Sequence, residues 1–119
     1  MRRDDDLLRE ILFKLEDEDD YISIEFGAST DSSEYDRKVF GHLLLLADAG
    51  LVELSGKYRE SARITNYGHD FIAAIRDDTH WNQTKRIAES AGAKTIGILF
   101  DVAIGLAKQR LARLLENGV

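Results

Sequence analysis

Apolar and polar positions recur along this chain with two different periods, and the changes of period mark out its elements. Over residues 4–16, Leu7, Leu8, Ile11, Leu12 and Leu15 repeat at helical spacing while Arg9, Glu10 and Lys14 fall elsewhere, which predicts an amphipathic helix. Asp4, Asp5 and Asp6 suit its positive end as cap and first-turn charges. The acidic run Glu16, Asp17, Glu18, Asp19, Asp20 opposes the dipole at the other end and reads as a solvated exit turn. Over residues 21–26 the period falls to two, with Ile22, Ile24 and Phe26 on one side, the pattern of a half-buried strand. Residues 27–33 form a turn rich in small polar side chains.

Residues 33–65 organise the rest of the chain. Ser33, with Asp36 three residues on, is a capping signal for a helix over residues 34–49. Val39, Phe40, Leu43, Leu46 and Ala47 form its apolar stripe, Arg37, Lys38, Gly41 and Leu45 lie on other faces, and His42 and Leu44 sit at the margins. Gly50 stops the helix, and a hairpin follows: a strand over 51–54, a polar loop over 55–61 and a return strand over 62–64. A helix ending Ala-Gly-Leu-Val, a short strand, a basic loop and a return strand make the pattern of a winged helix. Thr65 caps a helix expected to run to Asp78, with Tyr67, Phe71, Ala74 and Ile75 at helical spacing. Asp78 or Thr79 caps a short helix over 81–90 closed by Gly92, and Thr95 caps a last helix over 96–116. Tyr67 and Trp81 keep the helical period and read as core.

The fold class expected is therefore α+β: one winged-helix-like domain over residues 1–119, ordered helix, strand, helix, β-hairpin wing, with additional C-terminal helices. Residues 93–119 are its helical extension. Between Phe26 and Glu34 there is room only for a turn, so the helix that ordinarily precedes a recognition helix has no counterpart there.

Three segments together resemble one known family. They are the opening Met-Arg-Arg-Asp-Asp-Asp-Leu-Leu-Arg-Glu-Ile-Leu, the run from His42 to Val52, His-Leu-Leu-Leu-Leu-Ala-Asp-Ala-Gly-Leu-Val, and the run from Gly68 to Asn82, whose Ile-Arg-Asp-Asp-x-x-Trp ending is the most specific. The resemblance is to DUF2513, a domain-of-unknown-function family, and covers about residues 1–90. It implies a small winged-helix-like protein of the kind often carried by phages or prophages.

Composition narrows the function. The net charge is -6, but residues 1–33 hold four basic and eleven acidic side chains, whereas residues 34–65 hold five of each. The acidity is thus concentrated ahead of the helix and hairpin, leaving room for a local basic surface. Arg37, Lys38 and His42 are the candidates for a major groove, and Lys57, Tyr58, Arg59 and Arg63 for phosphates flanking it. The plainer reading of the same residues is a set of solvated charges. A small DNA-binding regulator is the leading expectation, with a protein-interaction module beside it. The latter rests on the last helix, where Ile96, Phe100, Ala103, Ala107, Leu111 and Leu114 make a stripe suited to homodimerisation or to a protein partner.

Catalysis has little support. His69, Asp70, Asp77, Asp78 and His80 lie close in sequence, but no His-x-x-x-His pair sets two imidazoles on one helical face, and the group reads as helix-end charges. There is no cysteine, no Gly-rich phosphate loop and no nucleophile elbow. The expectation is no enzyme, no metal and no cofactor. Lack of cysteine suits a reducing cytoplasm, and no apolar run approaches the roughly 20 residues of a membrane span.

Overall fold

The computed structural model describes residues 1–18, 32–92 and 94–118. The expected strand over 21–26 and most of the turn after it lie outside the described residues. Those described form a mixed α+β arrangement of five helices and one two-stranded antiparallel sheet. In order these are α1 (Asp5–Glu16), α2 (Glu34–Asp48), β1 (Val52–Ser55), β2 (Ser61–Ile64), α3 (Asn66–Ile75), α4 (Asp78–Ser90) and α5 (Ile96–Glu116). The chain packs as two compact units, Met1–His69 and Asp70–Val119, divided within α3. Residues 93–119, expected as an extension, therefore belong to a larger helical unit.

In the first unit α1 packs on α2 and β2, and α2 packs on β1. All five apolar residues of the α1 stripe are buried, together with Leu43, Leu46, Leu51, Val52 and Ala62. Capping sets the helix starts. The Asp4 carboxylate accepts the Leu7 N–H at 3.1 Å, and Ser33 Oγ accepts the Asp36 N–H at 3.0 Å. Arg3 Nε donates to Asp5 Oδ1 at 2.8 Å, so the one buried carboxylate of α1 has a cation beside it. The chain turns at Gly50 in the left-handed region, φ +80°, and enters the hairpin. There Val52 faces Ile64, Glu53 faces Arg63, Leu54 faces Ala62 and Ser55 faces Ser61.

In the second unit α4 packs against α5. Phe71 anchors the contact: its ring meets Trp81 edge-on at 6.4 Å and stacks on Phe100 at 5.7 Å. Thr95 Oγ1 caps α5 by accepting the Ile98 N–H at 3.0 Å. Three expectations need correcting. Helix α3 ends at Ile75 and not at Asp78, because Asp77 leaves the helical conformation to cap α4, accepting the His80 N–H at 2.9 Å. The cap is accordingly Asp77, not Asp78 or Thr79. Tyr67 is 40% exposed and so is no core residue, whereas Trp81 is buried as expected.

One buried polar atom stands out in the second unit. Thr84 is fully buried in α4, and its hydroxyl has no hydrogen-bond partner among the described residues. An unsatisfied buried hydroxyl costs free energy that an isosteric methyl does not. Thr84→Val is expected to stabilise the protein by about 1 kcal/mol in urea unfolding. A loss of similar size would mean that the hydroxyl makes a bond in solution.

Candidate functional site

The positively charged candidates separate into two groups in the first unit. The first gathers at the start of α2, where Met1, Arg2, Glu34, Arg37 and Lys38 line an open cleft of about 520 Å³. Three cations face one carboxylate there, beside a helix N-terminus whose dipole also favours anions. Arg2 had no signal in the sequence: it precedes the run of aspartates that caps α1, and only the packing of α1 on α2 carries it to Arg37 and Lys38.

A hydrogen-bonded tie holds this end of the unit together. The Asp4 N–H donates to His42 Nε2 at 2.9 Å, and His42 Nδ1 lies 2.8 Å from the Lys38 carbonyl. A carbonyl only accepts and an amide only donates, so Nδ1 carries the ring proton and Nε2 offers its lone pair. Lys38 Nζ in turn lies 3.6 Å from Asp4 Oδ2. His42 is 0% exposed and packs against the core. This overturns its place among the groove-facing candidates: a ring that bridges the α1 cap to α2 cannot reach a ligand. His42→Phe keeps the bulk, removes both bonds and strands the Asp4 N–H. It is expected to cost about 2 kcal/mol by urea unfolding, with an unchanged midpoint contradicting the tie.

The second group is the hairpin loop. Tyr58 is 71% exposed with Lys57 Nζ 5.5 Å from its ring centre. Arg59 is exposed and is the only described residue besides glycines with positive φ, +57°. Two bonds hold that tight turn, from the Arg59 N–H to the Gly56 carbonyl at 3.2 Å and from the Tyr58 N–H to Glu60 Oε2 at 2.8 Å. Arg63 lies one strand-length back and is already engaged. Its Nε and NH2 groups both reach the Glu53 carboxylate at 3.2 Å, the residue directly opposite in the register. Of the seven residues expected to touch DNA, Arg37, Lys57, Tyr58 and Arg59 are outward, Lys38 and Arg63 are outward but ion-paired, and His42 is withdrawn.

Asp77 and His80, in the second unit, have structural duties. Asp77 caps α4, and the His80 amide, its largest influence, holds the carboxyl below its ordinary value of 3.8, helped by the Thr79 amide and the Arg110 guanidinium. The buried His80 ring lies with Nε2 3.1 Å from the Ala103 carbonyl, which requires the proton on that nitrogen. Among the described residues no group of three or more such side chains is arranged to hold a metal ion. Nor is any helix among them long and apolar enough to cross a membrane. The stripe expected to mediate oligomerisation also divides. Ala103 is fully buried and Phe100 stacks on Phe71, so both serve the unit's own core, while Leu111 and Leu114 are exposed.

Comparison with known proteins bears on the whole of this arrangement. The family model described as hypothetical protein (DUF2513) matches residues 2–94. The chain belongs to the DUF2513 family. That match takes in the α2 cleft, the hairpin, α3 and α4. The DUF2513 chain is also similar to an uncharacterized protein of Haemophilus influenzae, 30% identical over 97% of this chain and 99% of the relative. No solved structure matches it.

Proposed function

We propose that this DUF2513 protein is a small DNA-binding regulator built as a winged helix, with α2 offered to the major groove and the β1–β2 loop as the wing. The observation that carries the reading is the convergence of Arg2, Arg37 and Lys38 at the N-terminus of α2. Phosphate recognition requires positive charge, reach and backbone N–H groups, and a helix start with three cations supplies all of them. Arg37 is exposed and unbranched to its guanidinium, whose forked donors match the N7 and O6 acceptors of guanine. Lys57 and Arg59 on the hairpin loop add charge for a flanking phosphate, and the exposed Tyr58 ring adds a surface for sugar. The ion pairs that occupy Lys38 and Arg63 are solvent-exposed, the class of pair worth roughly 0–1 kcal/mol, so a phosphate competes with them readily.

Such a surface binds through charge, which fixes the test. A labelled duplex of random sequence, titrated with protein while anisotropy is followed, is expected to bind at low salt. Its affinity should fall with a log–log salt slope of roughly -3, the value for three to four phosphate contacts. Absence of binding at low salt rejects the reading.

A further inference from the structure

We propose that the β1–β2 loop contains a seat for one phosphate diester, filled in the free protein by the loop's own Glu60 carboxylate, which duplex DNA displaces. The inference rests on the DNA-binding reading above and deepens it, naming where a flanking phosphate is held and what keeps the seat closed. Residues 55–59 are all exposed, and Glu60 at their end is half-buried because its side chain turns back over the loop. Its Oε2 accepts the Tyr58 N–H at 2.8 Å. A Cβ built on Gly56 would lie 2.5 Å from Cδ and both carboxylate oxygens of Glu60, so the carboxylate rests on the bare Gly56 backbone. Gly56 therefore supplies the space for the anion as well as the left-handed turn, φ +95°.

The cations of the loop decide what the seat is for. Lys57 and Arg59 flank Tyr58 and are both exposed, yet among the described residues neither forms an ion pair with Glu60 or with any other carboxylate. Lys57 Nζ stands over the Tyr58 ring instead. Arg63, one strand-length back, differs in being held by Glu53. The one carboxylate of the loop thus takes a backbone N–H and leaves two cations for another anion. A backbone N–H beside an open glycine is the kind of concavity that holds phosphate oxygens. A phosphate diester shares its charge between two free oxygens. One can take the Tyr58 N–H, which leaves the other for Lys57 or Arg59, a contact that Glu60 does not make. The bond that Glu60 gives up is solvent-exposed, and the bond from the Arg59 N–H to the Gly56 carbonyl at 3.2 Å keeps the turn closed without it. While seated, Glu60 also sets a negative charge where the phosphate would lie, so the loop's affinity for DNA is held below what its cations alone would give.

Two variants of equal charge separate the seat from simple electrostatics. Glu60→Gln removes the charge but keeps an oxygen for the Tyr58 N–H, whereas Glu60→Ala removes the charge and empties the seat. By anisotropy of a labelled duplex at low salt, Glu60→Ala is expected to bind about tenfold more tightly than wild type and Glu60→Gln only about two- to threefold. When inorganic phosphate is added at constant ionic strength, the Tyr58 amide resonance of Glu60→Ala should shift and saturate, while those of wild type and Glu60→Gln stay in place. Equal duplex affinities for the two variants overturn the proposal, as does a Tyr58 amide in Glu60→Ala that ignores phosphate. Duplex binding by all three proteins with Tyr58 indifferent to phosphate strikes the seat alone and leaves the DNA-binding reading standing. A seat that takes free phosphate in a protein that binds no duplex overturns its assignment to DNA together with that reading.

Discussion

Replacing Gly68 with alanine is expected to destabilise the protein by about 3 kcal/mol, even though alanine is the better helix former. Gly68 sits in the first turn of α3, pressed against the segment that leaves α2. A Cβ there would collide with the Leu51 carbonyl oxygen and would lie 2.8 Å from Ile64 Cγ2. Ile64 Cγ2 is the end of a side chain, but the Leu51 oxygen belongs to the backbone and is fixed. It accepts the Thr65 N–H at 3.1 Å, and Leu51 itself is fully buried. Thr65 locks the same corner from both sides, its hydroxyl donating to the Gly50 carbonyl at 2.6 Å and accepting the Gly68 N–H at 3.0 Å. Relief of the clash therefore means moving α3 away from the hairpin and giving up these bonds. The roughly 1 kcal/mol that alanine gains from helix propensity is too small to compensate. Gly105 in α5 is the control, because a Cβ there meets nothing within 4 Å. Gly105→Ala should show the propensity gain alone and stabilise by about 0.5–1 kcal/mol. The two urea midpoints should therefore move in opposite directions; a Gly68→Ala midpoint at or above wild type would contradict the close approach.

The second large effect concerns binding. The combined variant Arg37→Ala, Lys57→Ala, Arg59→Ala is expected to lose duplex affinity by about two to three orders of magnitude at low salt, at about 1 kcal/mol or slightly more for each lost charge-assisted contact. All three side chains are exposed, so stability should change by no more than about 0.5 kcal/mol for each. Two further substitutions separate the structural reading from simple counting of charges. Arg2→Ala should weaken binding about tenfold, because Arg2 shares the cleft of Arg37 and Lys38. Arg63→Ala should do much less, because Glu53 already holds that guanidinium in a forked pair. Anisotropy titrations of the four proteins give the ranking, and equal losses for Arg2 and Arg63 would contradict the arrangement.

What was legible in the sequence was local. The bounds of α5, the Thr95 cap and the buried stripe of α1 all follow from neighbours within four residues, and each is present as expected. The hairpin was legible for the same reason, its loop marked by Ser55, Gly56 and Lys57, although β1 lies one residue later than expected and β2 begins one residue earlier. What was not legible depends on partners far along the chain. His42 lies at the margin of its helix by period, and its burial follows from an amide 38 residues earlier. Arg2 joins Arg37 only through the packing of two helices. The α3 boundary failed for a different reason: Asp77, Asp78 and Thr79 are all competent caps, and which one acts is decided by where α3 stops. The oligomerisation stripe was read as one surface because helical period records which residues share a face, not how far along that face the neighbouring helix reaches.

The most direct measurement is amide chemical-shift mapping by NMR as a short duplex is added at low salt. The DNA-binding account expects the perturbed amides to cluster at Arg2, Arg37 and Lys38 and along the hairpin loop from Lys57 to Arg59, while those of α4 and α5 stay in place. A spectrum unchanged by saturating duplex, or perturbations confined to α4 and α5, would contradict it.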